Sequence, residues 1–90
     1  MRTQFHIRIS GRVQGVGFRA AASRQARHLR LKGWVKNQPD GSVRIVINGK
    51  MENCVKFINW CREGSAYSWV EGIDVTEMEE EHLGPFQIIY

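Results

Sequence analysis

The segment Gln14-Gly15-Val16-Gly17-Phe18-Arg19 holds the residues best suited to chemistry on an anion. A helix begins with backbone N–H groups that have no partner within it, and a Ser, Thr, Asp or Asn at the cap usually satisfies one of them. The helix that the apolar spacing predicts from Phe18 has no such residue, because its approach is Gly15-Val16-Gly17. Glycines let the backbone turn sharply and aim successive N–H donors at one point. Arg19 adds a cation in the first turn, where it opposes the helix macrodipole by about 0.3–1 kcal/mol. A dianion seated between amides and guanidinium reverses the sign of that term, since both then face negative charge. A phosphate is the expected occupant. The same residues also fit a plain tight turn with a solvent-facing arginine, and they lack both the Gly-Lys-Ser/Thr ending of a P-loop and the spacing of a dinucleotide fingerprint.

The elements that must hold this loop are legible from periodicity. Phe5, Ile7 and Ile9 alternate with His6, Arg8 and Ser10, the period of a half-buried strand over residues 4 to 13. Phe18, Ala22, Ala26 and Leu29 recur at helical spacing, with Arg24, Arg27 and Arg30 off that stripe and an end expected near Gly33. Trp34 to Asn37 reads as a strand, Gln38-Pro39-Asp40-Gly41 as a tight turn, and Val43, Ile45 and Ile47 as the inward face of the returning strand. Asn48 is expected to cap a second helix with Glu52 in its first turn, which would make the missing cap peculiar to the first helix. That helix has the stripe Met51, Cys54 or Val55, Ile58 and Cys61 and stops by Gly64. Trp69 to Thr76 is a further strand, Glu77 to Glu81 a solvated connection, and Phe86, Ile88 and Tyr90 close with a short appended strand. The order βαββαβ predicts an α+β, ferredoxin-like split βαβ sandwich, an antiparallel sheet with two helices on one face.

The 90 residues match one small domain spanning 1–90, and 42% apolar content with nine aromatic residues suffices for one core. Charges interrupt the apolar stretch at the N-terminus, so neither a signal peptide nor a membrane span is expected there, and a cytoplasmic protein is; with no obvious exposed apolar helix in 90 residues, a monomer is expected. Residues 1 to 50 hold eleven Lys and Arg against Asp40 alone, whereas residues 51 to 90 hold two against eight acids. A basic half of this kind suits an anionic partner, or else a solvated face offset by acids elsewhere. Cys54 and Cys61, seven apart on one helix, stand roughly 10 Å apart by helical rise, too far for a disulfide.

At two places the residues resemble the acylphosphatase family. Ile9-Ser10-Gly11-Arg12-Val13-Gln14-Gly15-Val16-Gly17-Phe18-Arg19 is similar to that family's phosphate-loop signature at every defining position. Gly33-Trp34-Val35-Lys36-Asn37, followed by Gly41, Val43 and Gly49, is similar to its second signature with the same spacing. The resemblance implies hydrolysis of a small acyl phosphate to carboxylate and inorganic phosphate, without metal, cofactor or covalent intermediate. It implies that Arg19 and the amides of Gln14, Gly15, Val16, Gly17, Phe18 and Arg19 hold the phosphoryl group, and that Asn37 orients the attacking water. An asparagine at Asn37's position would otherwise read as a turn former. The chain departs from the family at Ala20 and Ala21, where an aromatic residue often follows the loop arginine, and at Gly64-Ser65-Ala66, where a Gly-Pro is common. These departures bear on pocket shape, stability and substrate preference rather than on reaction class.

Other readings fit less well. His6, His28 and His82 have no close metal-ligand spacing, so no metal site is expected. Cys54 and Cys61 lie on a core stripe and read as small buried apolar residues. RNA-recognition domains share this element order but stack bases on aromatic residues of the two central strands. Here Ser42 to Ile47 has no aromatic residue and Phe5 belongs to the inward set, so no nucleic-acid partner is expected. An acylphosphatase-like regulatory or carbamoyl-phosphate-handling unit of a larger enzyme would share the motifs, and a chain holding this domain alone argues against it.

Overall fold

In the computed structural model, residues 2–79 and 83–90 are described. The chain runs β1 (Arg2–Arg12), α1 (Phe18–His28), β2 (Lys32–Asn37), β3 (Val43–Lys50), α2 (Met51–Glu63), β4 (Trp69–Met78) and β5 (Gln87–Ile89). The five strands form one sheet in the order β4-β1-β3-β2-β5. Alternation sorts its two faces: Ile7 and Ile9 of β1 and Val43, Ile45 and Ile47 of β3 are fully buried in one cluster with Phe18, Ala22 and Ala26 of α1 and Cys54, Phe57 and Cys61 of α2. Both helices thus cover the same face, the ferredoxin-like plan that the element order predicts. Trp60 braces the helices, its ring 5.5 Å from Phe18 and 5.9 Å from Phe57.

The sheet is mixed rather than purely antiparallel, because β5 pairs with β2 in parallel, Trp34 opposite Gln87 and Lys36 opposite Ile89. Register explains the direction. Met78 at the end of β4 pairs with Gln4, Gln4 with Asn48 and Asn48 with Lys32, so β4 finishes at the end of the sheet where β2 starts. Pro85 then bridges Lys32, and β5 sets out beside β2 in the same direction. The guanidinium of Arg27 donates to the Phe86 carbonyl at 3.1 Å and fastens this edge to α1.

Three further expectations change. The first helix ends at His28, not near Gly33, because Arg30 takes a left-handed φ of 57° while its N–H bonds Arg27 O and the Leu31 N–H bonds Ala26 O, a Schellman closure. Asn48 does not cap the second helix; it is buried within β3, where its Nδ2 donates to Gln4 Oε1 at 3.4 Å, and α2 follows Lys50 with no side-chain cap. The absence of a cap is therefore common to both helices, and the contrast between them lies in the loop ahead of α1. The buried stripe of α2 is Cys54, Phe57, Ile58 and Cys61, with Met51 and Val55 exposed. At roughly 100° per residue, Met51 and Val55 stand about 70° and 110° off that stripe's centre.

Cys54 and Cys61 are both fully buried and neither forms a disulfide. Burial pushes the Cys61 thiol up, so it stays protonated at neutral pH and is a packing residue. The expected acidic connection starts later than Glu77, which is still paired with Phe5 inside β4; Glu79 is exposed, while Glu80 and Glu81 lie outside the described residues, as does His82.

Candidate active site

The ends of β1 and β2 are drawn together by the strand between them. Val43 of β3 pairs with Ile9 on one side and with Asn37 on the other, so the loop leaving β1 and the side chain of Asn37 meet at one end of the sheet. The register with β4 shifts between Ser10 and Gly11, where Glu71 of β4 is the extra residue, and Gly11 takes φ 124° just before β1 ends at Arg12 and the loop begins. Gly15 and Gly17 follow at φ 73° and 77°, conformations in which an L side chain costs about 1–2 kcal/mol. A Cβ at either would meet nothing within 4 Å, so glycine is needed there for backbone geometry and not for space.

Among the described residues, none of the backbone amides from Gln14 to Arg19 donates to a protein acceptor; the first N–H in the series that does so is that of Ala21, which bonds Gly17 O at 3.1 Å. α1 has no acidic residue in its first turn to answer them. Unspent donors at the positive end of a helix are an anion-binding arrangement. Arg19 is half-buried beside them with its guanidinium 4.8 Å from the Tyr90 ring, a cation–π contact.

Arg19 and Asn37 line one cleft of about 140 Å³ with Gly15, Gly17 and Tyr90. At about 30 Å³ per water it holds roughly five water-sized atoms, the size of one tetrahedral oxyanion. Asn37 Oδ1 is buried and has no hydrogen-bond partner. An orphaned buried acceptor costs about 1–3 kcal/mol, and such a group calls for an explanation in the site's chemistry. Of the motif residues, Gly15, Gly17, Phe18, Arg19 and Asn37 line the cleft, whereas the side chains of Gln14 and Val16 turn elsewhere.

Gln14 has a second part that its sequence position does not announce. Its Nε2 donates to Gln38 O at 2.7 Å and to Ser42 O at 2.8 Å, tying the loop to the turn that follows Asn37. That turn is closed by Gln38 N to Ser42 O at 2.8 Å and by Asp40 Oδ1, which accepts from the amide of Ser42 at 2.9 Å and from its hydroxyl at 2.6 Å. Ser42 and the Arg8 guanidinium, 2.7 Å from the other oxygen, hold the Asp40 carboxyl well below the usual carboxylate range. Sequence reasoning also passed over Tyr90 as a neighbour of Arg19; only the parallel placement of β5 brings it there.

Fold and site together define a ferredoxin-like sandwich with a glycine-rich loop of unspent backbone amides at the mouth of its first helix and Asn37 lining the same cleft as Arg19. The acylphosphatase family model matches residues 5–88. An acylphosphatase of Thermococcus kodakarensis is 44% identical over 98% of this chain and 97% of its own. The crystal structure of acylphosphatase from Bacillus subtilis superposes with a TM-score of 0.94 at 41% identity, covering 100% of both chains. Full-length HypF, crystallised in a phosphate- and nucleotide-bound form, contains a similar region, with TM-score 0.90 and 29% identity over 100% of this chain and 12% of that one. The chain belongs to the acylphosphatase family, hydrolases that act on acyl phosphates.

Proposed function

We propose that this chain hydrolyses a small acyl phosphate in the cleft between Arg19 and Asn37, without a metal or other cofactor. The observation that carries the proposal is a cleft of oxyanion size that holds unspent loop amides, Arg19 and Asn37 together, with the buried Asn37 Oδ1 lacking a hydrogen-bond partner. The amides of Gln14 to Arg19 and the Arg19 guanidinium take the phosphoryl oxygens, and Asn37 Oδ1 accepts a hydrogen bond from the attacking water and sets its direction. The water oxygen bonds phosphorus as the phosphorus–oxygen bond to the acyl group breaks. The electron pair leaves with the carboxylate, and the water's proton passes to a phosphoryl oxygen. Asn37 orients the water and has no basicity to remove that proton. Such a reaction needs position and charge stabilisation more than a strong nucleophile, and a mixed anhydride already has a good leaving group.

The experiment is hydrolysis of acetyl phosphate with excess chelator by the wild-type protein, Arg19→Ala and Asn37→Ala. Wild type turns over in chelator and both variants lose activity if the reading is right. Turnover lost to the chelator, or kept in both variants, overturns it. We further place the protein in the cytoplasm, as a monomer acting through one domain over residues 1–90 and with no nucleic-acid partner. Sedimentation and RNA retention at about 0.15 M salt test the last two points.

A further inference from the structure

The cleft uses Arg19 but leaves most of the basic first half of the chain without a role. The helices cover the face of the sheet that carries Ile7, Ile9, Val35, Ile45 and Ile47, so alternation puts His6 and Arg8 of β1, Arg44 and Val46 of β3, and Lys32, Trp34 and Lys36 of β2 on the uncovered face. Register sets three cations in one row across adjacent strands, Arg8 opposite Arg44 and Arg44 opposite Lys36. Like charges directly opposite one another in a sheet repel. The acids answer only one end of that row: Asp40 lies 2.7 Å and Asp74 3.9 Å from the Arg8 guanidinium, and Glu71 lines a pocket with Arg8 and Arg12. Among the described residues, Lys32, Lys36 and Arg44 are exposed and pair with no carboxylate. Arg44 instead lies over the half-buried Trp34, its guanidinium 5.7 Å from the ring, and donates from Nε to His6 Nε2.

We infer that the β2–β3 half of this open face is a docking surface for an extended acidic segment of a partner protein, whose carboxylates meet Lys32, Lys36 and Arg44. Charge complementarity fixes the sign of the partner, and the other side chains of the face fix its kind. At about 3.3 Å per residue, Lys32 and Lys36 stand roughly 13 Å apart along β2 with Trp34 midway. An extended chain with acids at alternate positions repeats at the same spacing, so its first and third acids reach both lysines. A nucleic acid needs aromatic rings on the two central strands to stack its bases, and there the face presents His6, Arg8, Arg44 and Val46, while the Trp34 ring already has Arg44 over it. Stable seating on an anionic membrane needs apolar side chains beside the charges, and here Val46 is buried and Trp34 half-buried. The inference stands apart from the hydrolysis, because none of these three cations lines the cleft.

The test is titration of the full chain with a peptide of alternating glutamate and threonine, twelve residues long, followed through backbone amide and indole resonances. It is run at about 0.1 M salt, where charges more than about 10 Å away are largely screened. Wild type is compared with Lys32→Glu/Lys36→Glu, with Arg44→Glu and with Arg24→Glu on the helix side, folding being checked by circular dichroism. Shifts should fall on β2, β3 and the Trp34 indole. Each of the first two variants should weaken binding about fivefold or more, because an exposed ion pair is worth up to about fivefold and reversal turns attraction into repulsion. Arg24→Glu should change it by less than about twofold. Wild type that does not bind the peptide, or unchanged affinity in both folded sheet-face variants, would overturn the inference. So would tighter binding at this face of a twelve-residue oligothymidylate or of phosphatidylserine vesicles, or self-association through it in sedimentation, each of which assigns the face to another occupant.

Discussion

Removing the Gln14 side chain separates two parts of the site that the fold otherwise holds in register. Gln14→Ala deletes two hydrogen bonds of 2.7 and 2.8 Å. Neither acceptor is orphaned, because Gln38 O also takes the Gly41 N–H at 3.1 Å and Ser42 O takes the Gln38 N–H at 2.8 Å. The loss is therefore that of two ordinary neutral bonds, about 1–3 kcal/mol together. For a domain of this size that lowers Tm by roughly 5–20 °C. The kinetic effect comes from position: in the proposed mechanism the loop amides and Asn37 address one phosphorus atom, and a misplacement of about 1 Å can cost as much as 100-fold. We expect kcat for acetyl phosphate to fall 10- to 100-fold, about 1.4–2.7 kcal/mol, at a temperature where the variant is fully folded. A lowered Tm with unchanged kcat and KM would show that the tie is purely structural and refute the reasoning.

Arg19→Lys should be nearly as harmful as Arg19→Ala, because an ammonium cannot reproduce the guanidinium's two parallel bonds; a fall in kcat/KM of about 10- to 150-fold, or 1.5–3 kcal/mol, is expected, and near-normal kinetics would count against it. Asn37→Ala removes a buried, unpartnered acceptor, so chemical denaturation should show stability unchanged or raised by about 1 kcal/mol while activity is lost. A variant that is both inactive and clearly destabilised would mean that Asn37 is a structural residue. Acid should weaken the fold in two stages. Burial and then Arg44 lower the pKa of His6, whose Nε2 accepts from Arg44 Nε, so the native state prefers the neutral ring. That contribution is fully present above about pH 6.5 and is lost as pH falls through the lowered value. The Asp40 contribution is present above about pH 3.9 and is lost below it. Urea midpoints measured from pH 8 to 3 should show both limbs, with His6→Gln flattening the upper and Asp40→Asn the lower.

Local periodicity made most of the fold legible. Alternation in β1 and β3 and the Phe18, Ala22, Ala26 stripe of α1 report burial directly, because each depends only on side-chain direction along one element. What escaped depends on long-range geometry. The parallel direction of β5 follows from which end of the sheet β4 finishes at, and no local pattern encodes it. Asn48 resembles a cap residue by type and position, yet its burial opposite Gln4 keeps it in the sheet. The end of α1 has no sequence marker, because Arg30, not a glycine, adopts the left-handed closing conformation. At the candidate site, the glycine-rich approach and a cation in the first turn of α1 are local features that the sequence displays directly, whereas the missing cap, shared with α2, distinguishes nothing. The two bonds of Gln14 cross 24 and 28 residues and could not be read from its neighbours.

The central claim, that the amides at the mouth of α1 hold the phosphoryl group together with Arg19, is tested most directly by following backbone amide resonances while inorganic phosphate is added. The largest shifts should fall on residues 14 to 19 and titrate with one affinity, and Arg19→Ala should weaken that affinity severalfold while leaving the same amides as the responders. Shifts centred elsewhere on the basic half of the chain, or loop amides that stay still at saturating phosphate, would contradict it.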